Sequence, residues 1–223
     1  MNYISYNKTS VKLNNKRHIF KKYKIKTIPK NKHKLINECI LSYHKNLYKN
    51  CFGIPKLISN KKNLEFKFEY CGKSCSEILQ KKKINISEMK LILNGVVKIL
   101  NNCVKKKIDI DPHFKNFTIK NQKVFFVDLY PPMNKKFKNI LINSNKKIKN
   151  EISNHLKTYS YKYIKHHFLA DLKKSKYINR KFYCYSKKYF LEKKIINKID
   201  YNLINKIIKI EEKNLKNKNF TLS

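Results

Sequence analysis

Asp111-Pro-His-Phe-Lys-Asn116-Phe-Thr-Ile-Lys-Asn-Gln-Lys-Val-Phe-Phe-Val-Asp128-Leu-Tyr130 sets an Asp, an Asn and a second Asp around one predicted hairpin. Phe117-Thr-Ile and Val124-Phe-Phe-Val are short runs of apolar, β-branched and aromatic residues. Lys120-Asn-Gln-Lys123 lies between them with the polar pair Asn121-Gln122 at its centre. This pattern predicts strand, tight turn, strand. Asn116 then stands at the entrance of the hairpin and Asp128 at its exit, so both side chains come to the same end. An amide oxygen and a carboxylate converging there suit Mg²⁺, a hard cation that keeps its other positions for water and phosphate. Asp111 precedes them as a carboxylate able to orient a hydroxyl, and phosphoryl transfer from ATP uses these three groups in this order. The plainer alternative is a hairpin whose Asp and Asn side chains only cap turns.

The order of segments upstream bears on that choice. His18-Ile-Phe-Lys21-Lys22-Tyr23 mixes apolar and polar residues as a half-buried strand does. A helical segment from Lys32 to Asn46 follows, holding Glu38 among the apolar residues of Leu35-Ile-Asn-Glu38-Cys-Ile-Leu41. Phe52-Gly53-Ile-Pro55-Lys-Leu-Ile58 reads as a loop into a strand. Leu64-Glu-Phe-Lys-Phe-Glu-Tyr70 alternates strictly and stops at Cys71-Gly72. Ser74 to Gln80 and Ile86 to Lys107 are predicted helices. The second carries Met89, Leu91, Ile92, Val96, Val97, Ile99, Leu100 and Val104 on a broad apolar face. It ends in three lysines, favourable at a helix C-terminus, and delivers the chain to Asp111.

D-x-x-x-x-N followed by an apolar strand and Asp resembles the catalytic loop and metal-binding segment of the protein-kinase-like fold. The small-molecule branch (aminoglycoside, choline and lipopolysaccharide-core sugar kinases) is the nearer match. Protein kinases usually place His-Arg before the first Asp and Phe-Gly after the last, where this chain has Asp109-Ile110 and Leu129-Tyr130-Pro131-Pro132. The order of elements resembles the family's over roughly residues 15 to 132. The resemblance implies Asp111 as the catalytic residue and Asn116 and Asp128 as metal ligands. It further implies a strand lysine on the ATP phosphates, Lys21, held by a helix glutamate, Glu38. Lys22 is the alternative lysine, because a one-residue register shift exchanges which of the two points inward. Glu69 to Gly72, including Cys71, would form the hinge whose backbone pairs with adenine.

The chain also departs from the pattern. Gly53, Gly72 and Gly95 are its only glycines, so it has no Gly-rich phosphate loop. Tyr6-Asn-Lys-Thr9-Ser10-Val11 is either a reduced version of that loop or an ordinary hairpin. No Gly follows Asp128. Asp109 stands where the usual His would be, either bringing a second carboxylate close to Asp111, which would raise one of the two pKa values, or facing solvent.

At 223 residues the chain suits one domain or one small two-lobed unit. With 41% apolar residues, 15 Tyr and 13 Phe it has enough apolar surface for a core. The net charge of +39, from 53 basic and 14 acidic residues, favours polyanions such as nucleic acid, anionic lipid headgroups or phosphorylated sugars. Lys, Asn and Ile abound, as an A/T-rich genome would produce, but that bias does not explain the scarcity of Glu. No run of about 18 apolar residues is present and no N-terminal signal pattern is visible. A cytoplasmic protein is therefore expected, with peripheral contact at the inner face of a membrane as a variant. The six cysteines read as buried reduced thiols rather than a zinc site or disulfides.

Beyond Met133 the resemblance fades. Residues 134 to 150 read as a loop and a helix start, and Glu151 to Leu172 as one helix. Within it, His166 and His167 project about 100° apart and cannot easily share a metal, whereas His167 and Asp171 share a face. A structural or solvated role is expected for them. Tyr189 to Leu215 reads as one amphipathic helix with Ile196, Ile199, Leu203, Ile207 and Ile210 on its apolar side, packed on the rest of the protein. Docking of this helix on an anionic membrane surface is the secondary reading.

The sequence thus leads to an α+β, two-lobed, kinase-like fold. Residues 1–70 would form a small β-sheet lobe with one helix, 71–72 the hinge and 73–223 a mainly helical lobe, with Mg²⁺ and ATP between the lobes. The expected reaction moves the γ-phosphoryl group to a hydroxyl of a small acceptor, a sugar or amino alcohol. Short length and the absence of an Ala-Pro-Glu segment after Asp128 argue against a protein substrate. Two competitors are a catalytically inactive kinase-like binding module and a basic nucleic-acid-binding protein. The second predicts steep salt dependence and indifference to Asp111 and Asp128.

Overall fold

Alternation along one strand sets up the first half of the molecule. The computed structural model describes residues 2–4, 9–14, 17–23, 28–61, 63–81, 85–175 and 180–216. Strands β1 (Asn2–Ile4), β2 (Thr9–Asn14), β3 (His18–Tyr23), β4 (Leu57–Lys61) and β5 (Glu65–Glu69) form one antiparallel sheet in the order β1-β2-β3-β5-β4. In β3 the period of two buries Lys21 and Tyr23 and leaves Lys22 outside. The register between the two lysines is thereby settled: Lys21 faces inward, and Lys22 pairs with Glu65 on the outer face. β5 buries Phe66 and Phe68 by the same rule. The Tyr6–Val11 turn lies partly outside the described residues.

Helix α1 (His33–Asn50) joins β3 to β4 and buries Ile36, Asn37, Cys39, Ile40, Tyr43, His44 and Leu47, a stripe of helical spacing. Helices α2 (Cys75–Lys81) and α3 (Ile86–Lys105) follow. Asn85 caps α3 by accepting from the Glu88 N–H, while the Glu88 carboxylate accepts from the Asn85 N–H. This capping box satisfies two orphan donors at the helix start.

A second antiparallel sheet holds β6 (Lys73–Ser74), β7 (Phe117–Lys120) and β8 (Lys123–Phe126). The expected hairpin is present, with Asn121 and Gln122 at φ +48° and +61°. Two successive left-handed residues are what a two-residue hairpin turn requires for its twist to match the strands. Gly72, at φ +90°, lets the chain pass against β7, since a Cβ there would lie 1.8 Å from the Ile119 carbonyl oxygen. Gly95 similarly lets α3 lie on β8, where a Cβ would meet Val124 Cγ2 at 2.4 Å.

The C-terminal part holds five helices among the described residues: α4 (Lys135–Ser144), α5 (Lys149–Thr158), α6 (Ile164–Lys174), α7 (Arg180–Glu192) and α8 (Tyr201–Lys216). The single helix expected over 151–172 is interrupted at 159–163. There Tyr159 is fully buried and the Asp109 carboxylate takes the Tyr161 N–H, so a tertiary partner replaces the helical one. The long helix expected over 189–215 is likewise two helices. Lys194 adopts φ +50°, and the Asp200 carboxylate caps α8 by accepting from the Leu203 N–H. Residues 134–150 hold more helix than expected: Asn134 caps α4 through the Phe137 N–H, and Phe137 and Leu141 bury one face.

One apolar core runs continuously from Phe66 and Phe68 under the larger sheet to Phe114, Phe117, Phe168, Phe182 and Phe190 among the helices. Each such ring contributes about 1.5–3 kcal/mol by burial. Phe168 stacks on Phe190 and meets Phe114 and Phe117 edge-on, fixing the hairpin and the segment before it to α6 and α7. All six cysteines are free thiols and all but Cys184 are buried; Cys51 and Cys103 have their sulfurs 3.7 Å apart. Among the described residues no helix is long and apolar enough to cross a membrane.

Candidate active site

Two buried isoleucines fix the segment that carries Asp111. Ile108 and Ile110 point into the core, and the Ile110 N–H donates to the Tyr159 carbonyl. Asp109 and Asp111 therefore take up separate surroundings. The Asp109 carboxylate receives Lys138 Nζ at 2.6 Å and the Tyr161 N–H at 2.8 Å. It neither crowds Asp111 nor stands free in solvent, so it is a fastening between segments.

Asp111 is 3% exposed. One oxygen, Oδ1, is held by His113 Nδ1 and the His113 N–H, while Oδ2 is buried with no hydrogen-bond partner among the described residues. Burial pushes its pKa up, but the charge and hydrogen bond of His113 outweigh burial and bring it down to about 2. Asp111 is thus an anion with one oxygen waiting for a donor. Asn116 is tied to it, since Asn116 Nδ2 donates to the Asp111 carbonyl at 3.2 Å, leaving the amide oxygen for another contact. The Val127 N–H donates to the Asn116 carbonyl at 2.9 Å. The two ends of the hairpin are thereby joined one residue before Asp128.

Lys21 reaches this point from β3. Its Nζ donates to the Val127 carbonyl at 2.6 Å. Burial lowers its pKa, and the nearby Asp128 charge opposes the fall. Asp128 is half-buried, and its Oδ1 accepts from the Tyr130 N–H. Burial raises the Asp128 pKa, Lys21 lowers it, and the Asp111 charge raises it further. Lys21, Asp111, Asn116 and Asp128, from a strand, a loop and two ends of a hairpin, therefore lie together.

Three expected residues do not join them. Glu38 falls between the buried positions of α1, is 48% exposed at its side chain, and pairs with Lys136 Nζ at 3.1 Å. The expectation that Glu38 holds Lys21 is corrected accordingly: one step of about 100° along the helix turns it toward α4, and the buried polar residue beside it is Asn37. Glu69 accepts from the Lys56 N–H at 2.8 Å, so its side chain fastens the β4 end of the sheet. The Cys71 thiol is pushed up to about 12 by burial and stays neutral, and the Cys71 carbonyl already accepts from Thr118 Oγ1 at 2.8 Å. The Tyr70 carbonyl takes Lys120 Nζ. Much of the expected hinge is thus hydrogen-bonded within the protein.

Behind Asp111 lies a group that joins His167 and Asp171, expected to be structural or solvated, to His113 and Glu211, which the sequence did not single out. His113, from the same loop, puts its Nε2 2.8 Å from Glu211 Oε1 on α8. His167 on α6 puts its own Nε2 2.7 Å from the same oxygen, and Lys174 reaches Glu211 Oε2 at 3.0 Å. Asp171 accepts from the Phe114 N–H at 2.7 Å and so clamps the loop to α6. Burial pushes the His113 pKa down, but Asp111, Glu211 and Asp171 outweigh it and carry it well above the ordinary range. Burial pushes the Glu211 carboxyl up, and His113 and His167 bring it far below the ordinary range. The sequence held one signal for this group. Glu211 occupies the apolar stripe of α8, seven residues after Ile204 and four after Ile207, in a chain with few acids.

His155 on α5 borders the same region and behaves oppositely. Its Nε2 meets the Tyr159 hydroxyl at 2.8 Å, its Nδ1 is buried without a hydrogen-bond partner among the described residues, and burial holds its pKa down to about 4. An unfolded chain would protonate it near the ordinary 6.5. The stability it allows above pH 6.5 is therefore lost as pH falls from 6.5 toward 4, by on the order of 3 kcal/mol. Urea unfolding at pH 7 and pH 4.5 should show a smaller loss in His155→Asn than in the wild type. Equal losses would contradict a neutral buried His155.

In comparisons with known proteins, no family model and no curated protein matches this chain.

Proposed function

We propose that this chain is an ATP-dependent phosphotransferase with a two-lobed, kinase-like arrangement, acting on a hydroxyl of a small sugar or amino alcohol. The convergence of Lys21, Asp111, Asn116 and Asp128, with Asp111 Oδ2 buried and unpartnered, is the observation that supports it. An antiparallel sheet with one helix before its fourth strand, followed by a hairpin behind a D-x-x-x-x-N loop, supports the arrangement.

In this reading Asn116 and Asp128 hold Mg²⁺ and Lys21 meets the phosphates. Bound Mg²⁺ supplies charge neutralisation on the transferring phosphoryl group. Asp111 accepts the hydrogen bond of the acceptor hydroxyl through Oδ2, and His113 fixes the carboxylate's direction. The donors fit: oxygen ligands for a hard cation, and a buried anion lacking one partner. The partnered hinge carbonyls, and the absence among the described residues of a glutamate at Lys21, favour the second reading, an inactive module of the same shape. The positive surface remains a candidate for contact with anionic lipid or nucleic acid in either reading.

Calorimetry with ATP, with and without Mg²⁺, tests the proposal. Binding that needs Mg²⁺ is expected in the wild type, weakened at least about 10-fold in Asp128→Asn. Binding absent from both proteins, or equal in both, would remove the catalytic reading and leave polyanion binding.

A further inference from the structure

The group behind the loop has the layout of a metal centre. His113 Nε2 and His167 Nε2 converge on Glu211 Oε1, and the ligand atoms of the three residues lie within 4.8 Å of one another, all buried. The opposite nitrogen of each ring is already anchored. His113 Nδ1 is on the Asp111 carboxylate, and His167 Nδ1 is 2.9 Å from the Thr158 carbonyl. Imidazoles that ligate a metal through one nitrogen characteristically give the other N–H to a carboxylate or a main-chain carbonyl. Both rings here do so, and both turn the free nitrogen to the same carboxylate oxygen. Asp171 Oδ1, 3.9 Å from His113 Nε2, is a fourth donor at the edge of the group.

We propose that His113, His167 and Glu211 bind one divalent transition metal, of the Zn²⁺ class, with Asp171 or a water completing the tetrahedron. One divalent ion among the three would take a lone pair from each ring nitrogen and from Glu211 Oε1, the atoms that face one another here. Two imidazoles and one carboxylate select a borderline-soft ion; Mg²⁺ and Ca²⁺ take oxygen ligands instead. Bonds of about 2.0–2.1 Å in a tetrahedron set donor atoms about 3.3 Å apart, so Glu211 Oε1 has to withdraw by roughly half an ångström. The ion would tie the loop, α6 and α8 together behind Asp111. It is separate from the Asn116–Asp128 pair and does not depend on the phosphotransfer reading.

The test uses the full chain, stripped with a chelator and then given Co²⁺ as a spectroscopic probe, with Zn²⁺ as competitor. The expected result is one Co²⁺ per chain with the visible absorption of a tetrahedral nitrogen–oxygen site, displaced by Zn²⁺ and retained in Asp128→Asn. His167→Gln and Glu211→Gln should each weaken uptake at least about 10-fold. Lack of stoichiometric uptake would overturn the proposal. So would an intense sulfur-to-metal band, which would assign the metal to cysteines, or unchanged affinity in both variants. The wild-type stoichiometry and spectrum decide the matter alone if either variant fails to fold.

Discussion

Glu211→Ala should lower the stability of the metal-free protein by about 3–5 kcal/mol, read from urea unfolding at neutral pH with an unchanged slope. Glu211 is 4% exposed and accepts from His113, His167 and Lys174. Alanine removes the acceptor and leaves two buried rings facing a cavity. The cost of taking the group out of water remains while its compensation is gone. Stability of a domain this size is typically about 5–15 kcal/mol, so the loss would be a large share of the total. Glu211→Gln keeps one carbonyl oxygen for the rings and should cost about 1–3 kcal/mol. Glu38→Ala breaks an exposed pair and should cost under about 1 kcal/mol. A Glu211→Ala loss as small as that of Glu38→Ala would show that the buried group is not held as described.

On the phosphotransferase proposal, Asp111→Asn should reduce ATP turnover on acceptor alcohols by roughly 10²–10⁴-fold while leaving Mg-dependent ATP affinity little changed. The amide keeps the shape of the carboxylate but loses the anion that, in that proposal, takes the acceptor's hydrogen bond. Asp111 Oδ2 has no hydrogen-bond partner among the described residues, so its substitution removes no other such contact of that atom. Single-turnover assays beside calorimetry separate the two effects. Wild-type turnover in Asp111→Asn would take Asp111 out of the reaction, and loss of ATP affinity in parallel would make it a binding group.

The hairpin was legible because its turn is local. A polar pair between two apolar runs has few other solutions, and Asn116 and Asp128 follow from its geometry. Lys21 against Lys22 was open in the sequence because a strand's two faces differ only in what lies beneath them. Burial of Lys21 and Tyr23 beneath the sheet decides it. Glu38 was misassigned for a similar reason: helical spacing defines a buried stripe, and position 38 lies just off it. The break at 159–163 left no trace in the sequence because no Gly or Pro makes it; a carboxylate fifty residues earlier does. Glu211 and His113 meet only in three dimensions, and no local pattern joins them. The kinase-like arrangement itself remains the proposal, with the α+β architecture and its two antiparallel sheets as its basis.

The distance along the chain between His113 and Glu211 has a consequence for synthesis. Ribosomes add about 5–20 residues per second, from the N-terminal end. The five-stranded sheet and Asp111 have been made about 100 residues before Glu211 appears and the hairpin about 85 before it, so the His113–Glu211 contact is one of high sequence separation. A nascent chain carries His113, with Asp111 on its other ring nitrogen, before its partner Glu211 on α8 is made. The closure of His113 and His167 on Glu211 is thus a late step of assembly, taken with the sheet and the hairpin already synthesised.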